Sequence, residues 1–270
     1  PGYGIDYWPK NAKIIQVDMN SDRIGLTKKV SVAICGDAKM VAQQLLGKLS
    51  PKAGDTDRQK RKDLIHQTKS AWLQKLSSLD HEDDDKGTVW NKEARERDKD
   101  RMSPRQAWRA IQAGMPDGVI ISSDIGNNCA IGNAYPTFEK GRKYLAPGLF
   151  GPCGYGFPSI LGAKIGCPDA PVIGFAGDGA FGISMNEMSS CARKEWPSIT
   201  MVIFRNYQWG AEKRNTTLWY DNNFIGTELD PELSYAKVAD ACGLKGVTVK
   251  SMDETTKAIK QSCEDQKKGI

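Results

Sequence analysis

The segment VIGFAGDGAFGISMNEM, which starts at Val172, joins an apolar run of strand length to a helical pattern through Gly-Asp-Gly. Two more apolar runs of strand length, Val119–Ser122 and Ile199–Phe204, are separated from it by stretches with helical spacing. Apolar strands that alternate with helices are typical of parallel sheets buried on both faces. The pattern therefore predicts an α/β fold, a parallel sheet with helices on both faces, and places it in residues 102–270.

The borders of this predicted domain follow from local signals. Ser103 and Pro104 form a good helix start, with Ser103 as the N-cap and Pro104 at the first helical position. After the Gly-Asp-Gly turn, an apolar stripe at helical spacing predicts a helix that packs on the sheet, formed by Phe181, Met185, Met188 and Ala192. Val247–Val249 predicts a further strand.

The first hundred residues divide into two parts. Ile14–Val17 and Val30–Ile34 predict short buried strands and Ala38–Leu49 predicts a helix, so residues 1–51 have the pattern of the C-terminal part of a central α/β domain. Residues 52–101 are strongly charged and predict a solvated linker with one helix. The apolar edge of that helix would be formed by Leu64, Trp72, Leu73 and Leu76. We expect the chain to be a fragment of a longer polypeptide, truncated at its C-terminus as well.

Composition narrows the function classes. The formal charge of +5 over 270 residues is small and is not gathered into a basic stripe, which argues against a nucleic-acid partner. The seven cysteines are scattered without a CxxC pair, as in a reduced intracellular protein. Apolar runs stay well below the roughly 20 residues that a membrane span needs. We therefore expect a cytoplasmic protein without a membrane or nucleic-acid partner.

Asp178 and Asn206 each follow the carboxyl end of a predicted parallel strand. Ligands of open α/β sheets bind in a crevice at this edge. Gly177 and Gly179 allow a ligand close to the backbone, and the first N–H groups of a helix from Ala180 would suit a phosphate. A carboxylate beside a phosphate is repulsive unless a cation lies between them, and carboxylate and amide oxygens suit Mg²⁺. The residues thus predict a metal that holds a diphosphate.

Other interpretations of this turn remain possible. A lone Gly-Asp-Gly is commonly only a turn in which the acid caps a helix, although Asn206 at the next strand end favours the metal. The glycines of GDGAFG also match GxGxxG, but a dinucleotide fold would leave Asp178 facing the pyrophosphate unshielded. A P-loop is excluded because Gly-Lys-Ser/Thr is missing.

A resemblance extends these observations. Gly-Asp-Gly followed, after a spacer of this length, by Asn at a strand end is similar to the signature of thiamine diphosphate enzymes. LFGPCGYGFPSILGAKIG and SSDIGNN resemble segments of the acetolactate synthase and pyruvate oxidase group. FRNYQWGAEKRNTTLWYDNNFIGTEL and YWPKNAKIIQVDMNSDRIGLTKKV resemble the sulfoacetaldehyde acetyltransferase branch of that family. The likeness covers essentially the whole chain.

The resemblance implies a set of site residues. The Mg²⁺ ligands would be Asp178, Asn206 and the backbone carbonyl of Gln208. The diphosphate would be contacted by backbone around Gly177, Gly179, Ala180 and Gly210, and by Asn127 and Asn128 from the loop before them. The Gly151 carbonyl would accept a hydrogen bond from the aminopyrimidine of the cofactor. Cys153, next to Gly154, stands where relatives place a bulky apolar residue, although it fits a small buried hydrophobe equally well.

The implied reaction converts sulfoacetaldehyde and phosphate to acetyl phosphate and sulfite, a step in the degradation of taurine and other organosulfonates. Lys213 or Arg214 could contact one of the two anions, with solvated surface charge as the alternative. The activating glutamate of the family would lie in a pyrimidine-binding domain outside these residues, so we expect this chain alone to be inactive and the complete enzyme to be a homodimer or homotetramer. An acetolactate-type lyase or 2-oxo acid decarboxylase, and a non-catalytic diphosphate-binding module, remain as alternatives.

Overall fold

The computed structural model describes residues 11–49, 55–79, 101–138, 141, 143–148 and 150–269. The chain divides into two compact units, Pro1–Gln74 and Lys75–Ile270. The charged runs of the predicted linker, in residues 80–100, lie outside the described residues. Within the described parts of the chain, no helix is both long enough and apolar enough to cross a membrane.

The first unit contains a parallel pair of strands. β1 (Ile15–Asp18) and β2 (Val32–Cys35) pair with Ile15 opposite Val32 and are followed by α1 (Ala38–Lys48), which packs against β1. The predicted strands and helix are confirmed in position, but the prediction that the strands are buried is wrong. Ile15 is 63% exposed and Val32 is 47% exposed. A strand is buried on both faces only when helices cover both, and in the described part of this unit α1 covers one.

Helix α2 (Asp55–Leu79) occupies the region where one helix was predicted. Its apolar edge is mostly in solvent, because Leu64, Trp72 and Leu73 are exposed whereas Leu76 is buried. Its other faces carry mainly charged and polar side chains, which keeps the helix polar as a whole.

The second unit is built on a four-stranded parallel sheet in the order β4-β3-β5-β6. The strands are β3 (Ile120–Ser123), β4 (Lys143–Leu145), β5 (Val172–Gly177) and β6 (Thr200–Phe204). The helices are α3 (Pro104–Gly114), α4 (Asn127–Gly132), α5 (Gly156–Gly166), α6 (Asp178–Ser184), α7 (Met188–Cys191), α8 (Gly210–Trp219), α9 (Tyr235–Ala241) and α10 (Met252–Lys268).

Side chains of the central strands alternate between two hydrophobic cores, because successive residues of a strand point to opposite faces. Ile121, Ile173 and Phe175 pack on one face with residues of α3 and α10. Ile120, Val172 and Ala176 pack on the other face with residues of α5, α6 and α7. This arrangement confirms the predicted parallel sheet with helices on both faces.

A side chain of helix α10 forms hydrogen bonds with two strands of the sheet. The amide group of Gln266 accepts from the N–H of Val172 at 3.0 Å and donates to the carbonyl of Val172 at 2.8 Å. The same Nε2 donates to Thr200 Oγ1 at 2.6 Å. Gln266 therefore supplies the ladder partner that Val172 lacks at the start of β5, and it links the two strands that lead to the site.

Three details differ from the sequence predictions. Val247–Val249 forms no strand among the described residues, because β-branched residues favour a strand only where a neighbouring strand is present to pair with them. The edge strand β4 was not predicted, since three residues carry too little pattern. The helix after Gly177 is interrupted, with a 3₁₀ turn at Met185–Glu187 between α6 and α7.

Candidate functional site

The register of the sheet brings the two predicted strand ends together. Gly177 lies opposite Phe204, so Asp178 and the residues after Phe204 leave the sheet side by side. Asp178 is the first residue of α6 and Gly177 is its N-cap, with no side-chain cap. The interpretation of Asp178 as an N-cap is therefore wrong.

The carboxylate of Asp178 is held by three backbone N–H groups. Its Oδ2 accepts from Tyr207 at 2.6 Å and from Asn206 at 3.1 Å, and its Oδ1 accepts from Gly179 at 3.1 Å. The hydroxyl of Tyr235 also donates to the backbone carbonyl of Asp178 at 3.0 Å. Asp178 thus ties the loop after β6 to the start of α6.

Burial dominates the electrostatics of Asp178. The residue is 2% exposed, and desolvation raises the pKa of its carboxyl above the usual 3.8, while the three N–H groups oppose the rise. A buried carboxylate without a cationic partner is costly. A bound cation would remove that cost, which gives a physical reason for placing an acid here.

Two asparagine side chains converge on Gly210, the first residue of α8. A methyl group placed on Gly210 would lie 2.9 Å from Asn206 Nδ2 and 3.1 Å from Asn127 Nδ2. Asn206 Oδ1 accepts from the N–H of Gln208 at 3.3 Å. Because real Cβ contacts are rarely so short, any larger residue at position 210 would displace these two amide groups. The start of α4 and the loop after β6 therefore meet at Gly210.

Asn128 lies deeper than Asn127. It is buried, and its Nδ2 donates to Ser123 Oγ and to the carbonyl of Asp124, both at 3.4 Å. Its Oδ1 lies 3.7 Å from where a methyl group on Gly177 would be. Asn128 thus braces the end of β3 against Gly177, while Asn127 is exposed beside Asn206 and Gly210.

The loop before α5 contains the remaining predicted cofactor residues. Gly151 and Gly154 adopt φ of 61° and 86°, which glycine tolerates and other residues rarely do. Cys153 is exposed, so the alternative of a small buried hydrophobe is wrong. Partial burial, together with the negative charges of Asp124 and Glu212, raises the pKa of the Cys153 thiol.

The donor set fits a hard cation that carries a diphosphate. Asp178 contributes a carboxylate and Asn206 an exposed amide. Both offer oxygen ligands, which Mg²⁺ prefers to thiolate or imidazole. In the described residues no group of three His, Cys, Asp or Glu side chains is placed to hold a metal, so a cation here would need amide and carbonyl oxygens in addition to the Asp178 carboxylate. Gln208 is 3% exposed, and its Oε1 has no hydrogen-bond partner among the described residues.

Close packing around Gly179 fixes the other wall of the site. A methyl group on Gly179 would lie 2.8 Å from two ring carbons of Trp209, the residue that precedes Gly210. Ala180, next in α6, is buried. Trp209 was not recognised in the sequence, because an aromatic residue in a loop gives no signal of what it packs against.

The two predicted substrate residues differ in their surroundings. The ammonium of Lys213 forms an ion pair with Glu228 and lies 5.0 Å from the centroid of the Phe224 ring. Arg214, the next residue of α8, is exposed. The structure places both on the helix that begins at Gly210, and Arg214 is the more accessible of the two.

Asp124 is a site residue that the sequence analysis missed. It follows β3, is fully buried, and its carboxylate accepts N–H groups from the loop before α5. The available signal was the one used for Asp178, an acidic residue directly after an apolar strand.

Comparison with known proteins identifies the family. The family model described as thiamine pyrophosphate enzyme, C-terminal TPP binding domain, matches residues 124–269, more than half of the chain. The chain therefore belongs to the thiamine pyrophosphate enzymes, and it contains their C-terminal cofactor-binding domain. Thiamine diphosphate (thiamine pyrophosphate) is the cofactor of this domain, as the sequence resemblance implied.

Relatives of high identity carry one activity in their names. The chain is 76% identical over 270 residues to the probable sulfoacetaldehyde acetyltransferase of Rhizobium meliloti (strain 1021), covering all of this chain and 46% of that protein. It is 68% identical over 269 residues to the sulfoacetaldehyde acetyltransferase of Roseovarius nubinhibens (strain ATCC BAA-591 / DSM 15170 / ISM), covering 100% of this chain and 45% of the relative. The chain thus spans about half the length of the curated relatives it matches.

A solved structure supports the fold. The thiamine diphosphate-dependent 4-hydroxybenzoylformate decarboxylase of Rhodococcus jostii RHA1 matches with a TM-score of 0.69 and 19% identity, covering 98% of this chain and 44% of the other. At this identity the likeness concerns the fold alone.

Proposed function

We propose that the protein is an acyltransferase that uses thiamine diphosphate and Mg²⁺ to convert sulfoacetaldehyde and phosphate to acetyl phosphate and sulfite. The carbon–sulfur bond of the substrate breaks, sulfite leaves, and a bond forms between the acyl carbon and a phosphate oxygen. No external oxidant or reductant is needed. The observation that carries the proposal is the 76% identity to a relative of that name across every residue of this chain.

The site geometry supports the metal in this proposal. Asp178, Asn206 and the backbone carbonyl of Gln208 would hold Mg²⁺, since all three belong to the two loops that the Asp178 carboxylate joins. Mg²⁺ needs few protein ligands, because phosphate oxygens and water complete its coordination. Mg²⁺ would then supply the positive charge that offsets the cost of burying the Asp178 carboxylate.

Backbone and amide groups would hold the cofactor. Backbone around Gly177, Gly179, Ala180 and Gly210 would contact the diphosphate, and Asn127 and Asn128 would reach it from α4. The Gly151 carbonyl would accept from the aminopyrimidine, with Cys153 and Gly154 beside it. When bound, thiamine diphosphate supplies the carbon nucleophile. This chain's share is to orient the cofactor and to exclude water around it.

The proposal includes partners beyond the cofactor. Lys213 or Arg214 would attract the sulfonate or the phosphate. The complete enzyme would be a homodimer or homotetramer in the cytoplasm, and light scattering on the complete gene product would measure the oligomeric state. A glutamate that activates the cofactor would come from outside the 270 residues.

An assay of the complete gene product tests the reaction. Supplied with thiamine diphosphate, Mg²⁺, sulfoacetaldehyde and phosphate, the protein should release sulfite and acetyl phosphate in equal amounts, and sulfite release should require phosphate. Pyruvate or another 2-oxo acid should give little CO₂. Release of CO₂ without sulfite would instead establish a decarboxylase or acetolactate-type lyase. Absence of thiamine diphosphate binding would reduce the protein to a non-catalytic module.

A further inference from the structure

Asp124 makes a set of contacts that the proposed reaction does not use. Its Oδ1 accepts from the N–H of Ile125 at 2.8 Å and from the N–H of Gly154 at 3.0 Å, and its Oδ2 accepts from the N–H of Gly156 at 2.7 Å. Thirty-two residues of chain separate Asp124 from Gly156. One fully buried carboxylate therefore joins the loop after β3 to the loop before α5.

The packing around these bonds leaves little freedom. A methyl group on Gly156 would lie 3.1 Å from both the Cβ and the backbone nitrogen of Asp124, and 3.0 Å from the carbonyl of Phe175. That carbonyl accepts from the N–H of Asp124 at 2.7 Å. Asp124 is thus attached to β5 by its backbone and to Gly154 and Gly156 by its side chain. It therefore fixes the distance between this loop and the end of the sheet.

Burying an acid in this position has a cost. Desolvation raises the pKa of the Asp124 carboxyl, and the N–H groups of Gly156, Ile125 and Gly154 oppose that rise. A neutral side chain would avoid the cost but could not accept from all of these donors. Because charge-assisted hydrogen bonds are stronger than neutral ones, the ionised form holds the loop most firmly.

We propose that Asp124 is a positioning residue that sets the distance between the two loops, so that one thiamine diphosphate molecule can contact both at once. Asn127 and Asn128 open α4, directly after the loop that begins at Asp124, and Gly151 lies on the loop that the Asp124 carboxylate holds. This inference rests on the proposed placement of the diphosphate near Asn127 and Asn128 and of the aminopyrimidine near Gly151. A ligand that touches only the diphosphate side should not depend on Asp124.

That difference gives the test. Asp124→Asn keeps the size of the side chain but turns one acceptor into a donor that opposes the loop N–H groups. In the complete gene product, calorimetry should show thiamine diphosphate with Mg²⁺ binding about tenfold more weakly or worse, because buried donors lose their acceptor. Inorganic pyrophosphate with Mg²⁺ should bind within about threefold of the wild-type value, since groups that share no partners usually influence one another only by a small factor of this size.

A second variant covers the case in which Asp124→Asn does not fold. Gly156→Ala keeps Asp124 and pushes the loop away with one methyl group, so it should show the same selective loss in milder form. Gly162→Ala is the matched control in α5, where a methyl group meets open space, and both ligands should bind it as they bind wild type. Equal weakening of both ligands, or no weakening of thiamine diphosphate, in the folded variants would overturn the proposal. Failure of the wild type to bind thiamine diphosphate would refute the proposed function instead.

Discussion

The backbone N–H of Tyr207 donates to Asp178 Oδ2 at 2.6 Å, and Tyr207 has a φ of 60°. A positive φ is uncommon for residues other than glycine, asparagine and aspartate, and it costs roughly 1–2 kcal/mol. The guanidinium groups of Arg101 and Arg205 both lie over the Tyr207 ring, each 4.5 Å from its centroid. These ring contacts offset the backbone strain and keep the N–H directed at the carboxylate.

Substitutions of Tyr207 should separate ring from backbone effects. Tyr207→Phe keeps the ring and should unfold like wild type, whereas Tyr207→Ala should lose about 1–2 kcal/mol of stability from two cation–π contacts. Tyr207→Gly should be more stable than Tyr207→Ala, since glycine relieves the positive φ. Urea unfolding measures all three. A Phe variant as unstable as the Ala variant would mean that the hydroxyl, not the ring, matters.

Asp178→Asn should abolish the metal dependence of cofactor binding. The amide has no charge for Mg²⁺, and one of its atoms would face N–H donors. We expect thiamine diphosphate affinity in the presence of Mg²⁺ to fall about 100-fold or more, at least as much as for loss of a group that supports a metal ligand. Asp169→Asn, an exposed acid on a turn, is the control and should change nothing. Titrations that keep their wild-type response to Mg²⁺ in Asp178→Asn would exclude this metal site.

Two glycines of α6 make a matched pair. Gly179→Ala places a methyl group 2.8 Å from the Trp209 ring, so Trp209 must move and Gly210 with it. This overpacking should cost about 1–3 kcal/mol and weaken thiamine diphosphate binding. Gly182→Ala meets open space in the same helix and should be neutral or stabilising by up to about 1 kcal/mol. Thermal unfolding and calorimetry on both proteins check the contrast, and identical behaviour would mean that Trp209 adapts freely.

Arg214→Ala should raise the KM for phosphate or sulfoacetaldehyde about tenfold, the usual effect of losing a hydrogen bond to a charged group. The affinity for thiamine diphosphate should stay as in wild type, because Arg214 lies one turn beyond Gly210 in α8. Arg193→Ala is the control, since this exposed arginine pairs with Glu195 before the amino end of β6, whereas the site residues follow the carboxyl ends of the strands. Unchanged kinetics in Arg214→Ala would leave Arg214 as an ordinary surface charge.

At the start of α10, the Ser251 side chain accepts from the N–H of Glu254 and the Glu254 carboxylate accepts from the N–H of Ser251, and this capping box predicts a pH dependence. Hydrogen bonds from the N–H groups of Lys250 and Ser251 lower the pKa of Glu254 below its ordinary 4.5. A lowered pKa means that the carboxylate stabilises the folded state above the unfolded pKa and loses this effect as the pH falls through the folded pKa. Wild type should therefore have a higher Tm than Glu254→Gln at neutral pH, with the difference vanishing in acid. A difference that is constant from neutral pH to below 4.5 would contradict this assignment.

Much of the sheet could be predicted because apolar runs report burial directly. Val172–Ala176 and Ile199–Phe204 fall on β5 and β6 within one residue at either end, and their order placed Asp178 beside Asn206. The exposure of β1 and the missing strand at Val247–Val249 could not be predicted, because both depend on which neighbours are present rather than on local pattern.

The candidate site could be predicted where its residues are of a type that is unusual for their position. Asp178 and Asn206 stand at strand ends, and a carboxylate there requires a reason. Asp124 also directly follows an apolar strand. It was missed because no polar residue at a second strand end singled it out, as Asn206 did for Asp178. The role of Trp209 as the wall against Gly179 depends on a contact that only the folded chain reveals.

The bond between Gln266 and Val172 has a consequence for synthesis. The two residues are 94 positions apart, and at the usual pace of translation the ribosome needs roughly 5 to 20 seconds to cover that distance. Until Gln266 has been synthesised, the N–H and carbonyl of Val172 at the start of β5 must hydrogen-bond to water instead. The start of β5 therefore gains these side-chain hydrogen bonds only after α10 has been synthesised, well after the strand itself.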